Sequence, residues 1–311
     1  MNSEGRRGVG FGFAAYFLWG VFPLYFRALD ASGAVEILLH RILWSLVILL
    51  LVVAAARASR ADLRAVLRRP RLVGVLAAAA LALTLNWGIY IYAVNSGQVV
   101  EAALGYFINP LVTVALGVVV LRERLRPAQW AAVGIGALAV AVLTADYGRP
   151  PWIALALACS FGCYGLVKNR VGGSVGALSG LTTETLVLGP VALAVLAWYE
   201  VTGRGTFTVD APWQALLLAS SGLVTVGPLL LFAAAARRVP LTTMGLLQYL
   251  TPMLQLVCGV LLLGEYVPPA RWAGFGLVWL ALVVLTADSL RSARRTARVT
   301  RVAERELAGV A

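Results

Sequence analysis

An all-α membrane protein is the fold class this sequence predicts: ten transmembrane helices built from two inverted five-helix repeats. Three observations carry the prediction. Hydrophobic residues make up 60% of the 311 residues and charged ones only 13%, with a mean hydropathy of +0.85; soluble domains carry about 25% charged residues. Ten continuous apolar segments are long enough to approach the ~20 residues that a helix needs to cross ~30 Å of hydrocarbon. They do not alternate at period two, which excludes a membrane barrel. Finally, the second half of the chain repeats the first at a shift of 142 residues.

The first span, 8–27, follows Arg6 and Arg7 as a signal peptide would. Its apolar run continues to Phe26 with no small-residue cleavage site, so it is expected to be retained. Span two, 33–56, reads "VEILLHRILWS" through its first half. Glu36, His40 and Trp44 recur at i, i+4, i+8 and therefore share one helix face, with Arg41 beside them. The basic stretch 57–71 is read as a loop. Span three, 72–95, carries "NWGIYIYAVN", in which Asn86 and Tyr90 share a face and Trp87 and Tyr92 lie nearby. Span four, 99–121, is interrupted by Glu101, Tyr106, Asn109 and Pro110. A proline frees the carbonyl one turn earlier, which polar neighbours or a ligand can then use.

Span five, 128–145, and span ten, 270–288, carry Gly134, Gly136, Gly274 and Gly276, whose small size suits close helix packing. Span six, 151–168, holds Cys159 and Cys163 at i, i+4, only two of the four ligands that a structural zinc requires. No metal site or cofactor is expected. Span seven, 178–199, holds Glu184 near its cytoplasmic end, where two readings stand: a structural acid capped by Thr182 or paired with Lys168 or Arg170, or a gating residue. Span eight covers 212–236. Span nine, 240–263, places Gln248, Tyr249 and Thr251 before Pro252. The tail, 289–311, is basic and lacks a sustained apolar face, so it is read as lying in solvent or on the lipid surface, with a short helix from Val299 to Leu307.

The repeat lays "LGYFINPLVTVALGVVVLRERLRPAQW…LTAD" over "LLQYLTPMLQLVCGVLLLGEYVPPARW…LTAD", with 18 of 43 pairs identical and no gap. Pro110 meets Pro252, Gly117 meets Gly259, Glu123 meets Glu265, and Trp130 meets Trp272. The halves are therefore 8–146 and 150–288, each with five spans. An odd number of spans turns the second copy upside down relative to the first. Two such units can exchange conformations, which is the device of secondary transporters with a site near the bilayer midplane.

Charge orients the bundle. Of the 26 basic residues, only Arg27, Arg149, Arg204 and Arg271 fall on one side, and Arg41 sits within a span. The remainder cluster in the loops 57–71, 122–126, 168–170 and 237–238 and at the two termini, which the positive-inside rule places in the cytoplasm. The net charge of +12 is thereby accounted for by topology and anionic lipid rather than by nucleic acid. Glu123 and Glu265, at the ends of spans four and nine, are read as structural, pairing with basic neighbours such as Arg122 or Arg271. For Glu36 two readings stand: a cavity residue, or an interfacial acid paired with Arg41 or Arg27.

"AAYFLWGVFPLYF", "EILLHRILWS", "NWGIYIYAVN" and "EAALGYFINPLV…LRERLRPAQW" together resemble the RarD family of EamA-type carriers in the drug/metabolite transporter superfamily. The likeness runs from Gly8 to about Asp288. It implies ten spans, two EamA repeats, both termini cytoplasmic in a bacterial inner membrane, and an association with chloramphenicol resistance; related carriers export amino acids and other small metabolites. "LLQYLTP" departs from the bulkier aromatic pair often found there, which leaves pocket shape open.

The expectation is a carrier for a small molecule, with protons as the candidate coupling ion and lipid as its surroundings. Its site would be formed by Glu36, His40, Arg41, Trp44, Asn86, Trp87, Tyr90, Glu101, Tyr106, Asn109, Gln248 and Tyr249, with Pro110 and Pro252 as helix kinks. Glu101 has only Thr243 as its repeat counterpart, which singles it out for coupling. The chain has no nucleotide-binding P-loop. An intramembrane enzyme acting on a lipid or polyprenyl substrate is the alternative, opposed by a single histidine and the absence of HExxH and GxSxG.

Overall fold

The computed structural model describes residues 3–122, 124–171 and 175–309; for 292–309 and for Ser3, Leu121, Asn169, Arg170, Leu241 and Thr242 only the backbone is described. Glu123 and the side chain of Arg170 lie outside the described set. The helices are α1 (Ser3–Gly20), α2 (Phe22–Arg27), α3 (Ala34–Ala55), α4 (Arg57–Leu67), α5 (Pro70–Asn95), α6 (Val99–Leu121) and α7 (Pro127–Tyr147). They continue with α8 (Trp152–Val171), α9 (Ala177–Val201), α10 (Pro212–Ala236), α11 (Leu241–Leu247), α12 (Leu250–Val257) and α13 (Pro269–Gly309). Among the described residues, nine segments are long and apolar enough to span a membrane, and the shorter apolar helix Trp152–Lys168 takes the tenth predicted place. The protein is an all-helical membrane protein.

Two predicted spans are helix pairs, for local reasons. Pro23 stands at the start of α2, where its missing N–H does no harm. It cannot donate to the Trp19 carbonyl one turn back, and Gln255 Nε2 supplies that bond at 3.2 Å. In span nine, α11 gives way at Gln248 and Tyr249, so the break falls on the residue whose carbonyl Pro252 cannot bond. The span ends in a π-helical turn, Cys258–Leu262. Pro110, its repeat counterpart, lies inside α6, which continues without interruption to Leu121. Helices α5 and α7 stop at Gly97 and Gly148, with φ of 67° and 64°, a left-handed conformation that costs glycine nothing.

Two readings change. The basic stretch after span two is not all loop: Arg57–Leu67 is an amphipathic helix with Leu63 and Val66 buried, and Val66 packs with Leu76 and Val171. Its arginines Arg57, Arg60 and Arg64 and its buried Leu63 and Val66 recur at the same helical period on different faces, and the charge count alone hides that. The tail is helical as far as Gly309, since α13 continues from span ten; alanine, arginine and glutamate, strong helix formers, outweigh the lack of an apolar face.

The chain divides into two compact units, Met1–Asn109 with Ile153–Tyr266, and Pro110–Trp152 with Val267–Ala311, each drawn from both sequence halves. The core of the larger unit gathers Phe26, Leu29, Ile37, Ile91, Leu157 and Leu218. In the smaller unit α7 packs on α13. Arg126, just before α7, pairs with Asp288 on α13 (2.7 Å), and Arg271, near the start of α13, pairs with Asp146 near the end of α7 (3.0 Å). The two helices, the fifth span of each repeat, therefore run antiparallel, and the duplicated "LTAD" supplies both acids. A Cβ on Gly136 would meet Leu111 at 2.7 Å, and one on Gly274 would meet Leu143 at 2.5 Å, so these two glycines carry the close packing. Gly134 and Gly276 face open space and do not share that role.

Candidate functional site

Arg41 is buried in the larger unit. Placing a guanidinium within a hydrocarbon span costs about 2.5–3.5 kcal/mol on insertion scales, so its surroundings must compensate. Helix α2 brings Phe22 and Phe26 to 5.7 and 5.5 Å from the guanidinium carbon, and α5 brings the Trp87 ring to 3.9 Å. Such ring faces return roughly 0.5–2 kcal/mol apiece to a cation. Nε donates to Thr225 Oγ1 on α10 at 2.8 Å. None of the ion pairs among the described residues involves Arg41. The result is a cation framed by three rings and one hydroxyl, with no carboxylate paired to it among the described residues.

A polar network adjoins it. Asn86, buried on α5, donates through Nδ2 to the Leu157 carbonyl (3.0 Å) and Ser160 Oγ (3.1 Å) on α8. Its Oδ1 accepts from the Tyr106 hydroxyl at 3.3 Å. The Tyr106 ring lies edge-on to Tyr90 at 5.7 Å, and Tyr90 to Phe26 at 6.0 Å. The Tyr90 hydroxyl is buried without a hydrogen-bond partner. The phenols of Tyr25, Tyr90 and Tyr106 are within electrostatic reach of Arg41. Residues of α5 and α6 thus meet beside the guanidinium, and the i, i+4 spacing of Asn86 and Tyr90 accounts for both lying on one face of α5.

Glu36, His40 and Trp44 form a second group on the same helix. Glu36 is buried and accepts the Thr206 backbone N–H at 2.6 Å. It pairs with neither Arg41 nor Arg27; Arg27 faces Asp30 at 4.0 Å instead. The stretch between α9 and α10 is held over the start of α3: Thr206 and Ser32 hydroxyls bond each other, and Gln214 Nε2 donates to Ser32 Oγ at 2.7 Å. Phe207 from this stretch stacks on the His40 imidazole at 4.8 Å and lies 6.3 Å from the Trp44 ring. His40 Nε2 has no hydrogen-bond partner. A Cβ on Gly222 would collide with the Trp44 backbone, so the glycine lets α3 and α10 pack closely there.

The contacts described for Arg41 include none of the remaining sequence candidates. Glu101 is buried and its Oε1 accepts the Ile153 N–H at 3.0 Å, at the start of α8. Asn109 keeps a buried Oδ1 without a partner, and Gln248 and Tyr249 form the break between α11 and α12, with Gln248 exposed. Pro110 is half-buried and Pro252 is buried. Two structural acids have the partners they need. Glu184 pairs with Lys168 at 2.7 Å, as expected. Glu265 does not pair with Arg271; its carboxylate accepts the N–H groups of Val99 (2.6 Å) and Val100 (2.8 Å), so it caps α6 from a distant part of the sequence. A helix N-terminus offers free N–H donors and a positive dipole end, which draws the acid more strongly than a flexible arginine.

Phe22, Phe26, Phe207, Ser160 and Thr225 belong to these groups and were not among the sequence candidates. Apolar rings in an apolar span give no contrast. Ser221 and Thr225 do share a face at i, i+4 and flank Gly222, a small-polar pattern that could have marked α10. The three cysteines are free, with Cys159 and Cys163 exposed.

Two stretches of the chain, 6–145 and 150–287, match the model of the EamA-like transporter family. The chain is 52% identical over 295 residues to Protein RarD of Streptomyces exfoliatus, covering 95% of this chain and 93% of that protein. It is 43% identical over 295 residues to an uncharacterized transporter of Pseudomonas aeruginosa, covering 93% and 96%. With Protein RarD of Escherichia coli it shares 38% over 293 residues, covering 94% and 98%. A solved structure superposes with a TM-score of 0.56 at 21% identity, covering 91% of this chain and 98% of that one, which is a likeness of fold.

Proposed function

Since the chain belongs to the EamA-like transporter family, and is a membrane transporter rather than an enzyme, we propose that it exports a small metabolite or drug-like molecule by alternating access. The observation that supports this reading best is the buried cluster around Arg41. It takes Arg41, Trp87 and Tyr106 from the first half of the sequence and Ser160 and Thr225 from the second. A site shared between repeats 8–146 and 150–288 can change its exposure when one repeat moves against the other. The stretch 203–211, pinned at Thr206 by Glu36 and Ser32, is the barrier on one side.

The bulk of the arginines supports a bacterial inner-membrane location with both termini in the cytoplasm. Under that orientation the 203–211 barrier faces outward. A nucleotide-driven pump is not part of this reading; the driving force is an ion or substrate gradient, with protons as the candidate ion and with lipid and the transported molecule as partners.

Reconstitution into proteoliposomes with a metabolite panel tests the reading. Protein-dependent movement of an unaltered compound is the expected result, and recovery of a chemically changed product would overturn it. Reporter fusions at the amino terminus and at 203–211 should report opposite sides of the membrane.

A further inference from the structure

We propose that the Arg41 cluster is an anion-recognition site and that the transported molecule carries one carboxylate or comparable singly charged acidic group on an apolar, ring-sized body. The inference rests on the transport reading of the same site and narrows it to a substrate class.

The charge count at the site leads to this class. Arg41 is buried and cationic, and no carboxylate pairs with it among the described residues. The nearest acid along its own helix, Glu36, is engaged by the Thr206 N–H. The electrostatic neighbours of Arg41 are the phenols of Tyr25, Tyr90 and Tyr106, which are neutral. Among the described residues only Nε is used by a protein acceptor, through Thr225. The two terminal nitrogens remain as a planar fork, the geometry that pairs with both oxygens of a carboxylate.

A buried charge without a partner is costly, and buried charges in proteins are paired or serve a ligand. Ring faces lower that cost but leave the fork's hydrogen-bonding capacity unmet. The Tyr90 hydroxyl, buried and without a partner, adds one further donor beside the cation. A cationic substrate would bring two positive charges together here with no acid between them, and a neutral one would leave the fork unsatisfied.

The surroundings select the rest of the molecule. Phe22, Phe26 and Trp87 face the guanidinium, and Tyr90 and Tyr106 continue the ring surface toward α8. Such walls favour a flat or aliphatic body over a polyol.

Ligand-induced thermal stabilisation of the full-length protein in detergent tests the proposal. The probes are phenylacetate and indole-3-acetate, their neutral amides, and phenethylamine as the cation of matched size. Phenylacetate or indole-3-acetate should bind at least tenfold more tightly than its amide, and phenethylamine should not bind. Arg41→Gln should erase the carboxylate–amide difference, and Arg41→Lys should keep part of it.

Inorganic phosphate and anionic-lipid micelles, run as competitors, separate a substrate acid from a lipid headgroup. Displacement of indole-3-acetate by lipid at lower concentration than by free acid would overturn the substrate assignment. If neither carboxylate outbinds its amide on the wild-type protein, the anion site is refuted whether or not Arg41→Gln folds. Proteoliposome flux separates the two readings. Carboxylate binding without flux refutes transport and leaves the site standing, whereas flux of neutral or cationic compounds that survives Arg41→Gln refutes the site and leaves transport standing.

Discussion

Glu265 holds the amino-terminal end of α6 by two hydrogen bonds, 2.6 Å to the Val99 N–H and 2.8 Å to the Val100 N–H. Loss of an N-terminal cap costs about 0.5–2 kcal/mol. A carboxylate at that end of the dipole adds about 0.3–1 kcal/mol. Val99 and Val100 are buried and Glu265 half-buried, so water replaces the lost bonds only in part, and Glu265→Ala is expected to cost about 2 kcal/mol. At roughly 2–4 °C per kcal/mol for a chain of this size, the unfolding midpoint should fall by about 4–8 °C.

Glu265→Gln keeps one acceptor but turns an N–H₂ toward the second donor, so it should lose about half as much. Glu265→Asp is one methylene too short to reach both groups and should resemble the alanine variant. Differential scanning fluorimetry of the purified protein, in one detergent throughout, measures all three. A Glu265→Ala protein that unfolds at the wild-type temperature would refute the capping role and the physical argument behind it.

Three further outcomes are expected. Gly222→Ala places a Cβ against the Trp44 backbone and should cost about 1–3 kcal/mol by overpacking, while Gly227→Ala, in open space, should be near neutral in the same scan. Gln255→Leu strands the Trp19 carbonyl and should cost about 1–3 kcal/mol; adding Pro23→Ala, which restores a backbone donor, should recover part of the loss. A double-mutant cycle of Arg271→Met with Asp146→Asn should give a coupling of about 1 kcal/mol, larger than that of the more exposed Arg126–Asp288 pair.

Much of the architecture is readable in the chain because lipid imposes it. A span needs a long apolar run, so the ten runs give the ten helical positions, and an odd span count per repeat dictates inversion. The antiparallel pairing of α7 and α13 through the duplicated "LTAD" is the structural form of that arithmetic. Helix α4 escapes the reading since its turns carry six arginines in or beside it and only two buried apolar residues.

The site divides along similar lines. Asn86, Tyr90, Tyr106, Trp87 and Arg41 stand out as polar or amphipathic residues in greasy spans, and helical spacing puts Asn86 and Tyr90 on one face; that α3, α5 and α6 bring them to one place is a matter of tertiary packing, which spacing within a span does not show. Phe22 and Phe26 carry no such contrast. The partner of Glu265 is a backbone group 166 positions away in sequence, and backbone donors leave no trace in side-chain patterns. Glu36 illustrates the same blindness, since its partner is the Thr206 N–H and not either nearby arginine.

Alternating access at a site shared by the two repeats is tested most directly by counterflow. Proteoliposomes preloaded with an unlabelled transported compound should take up the labelled compound to a transient overshoot, and an arginine-to-glutamine change at position 41 should abolish the overshoot for acidic compounds. Equilibration without overshoot, at a rate indifferent to preloading, would contradict the account and indicate a passive pore.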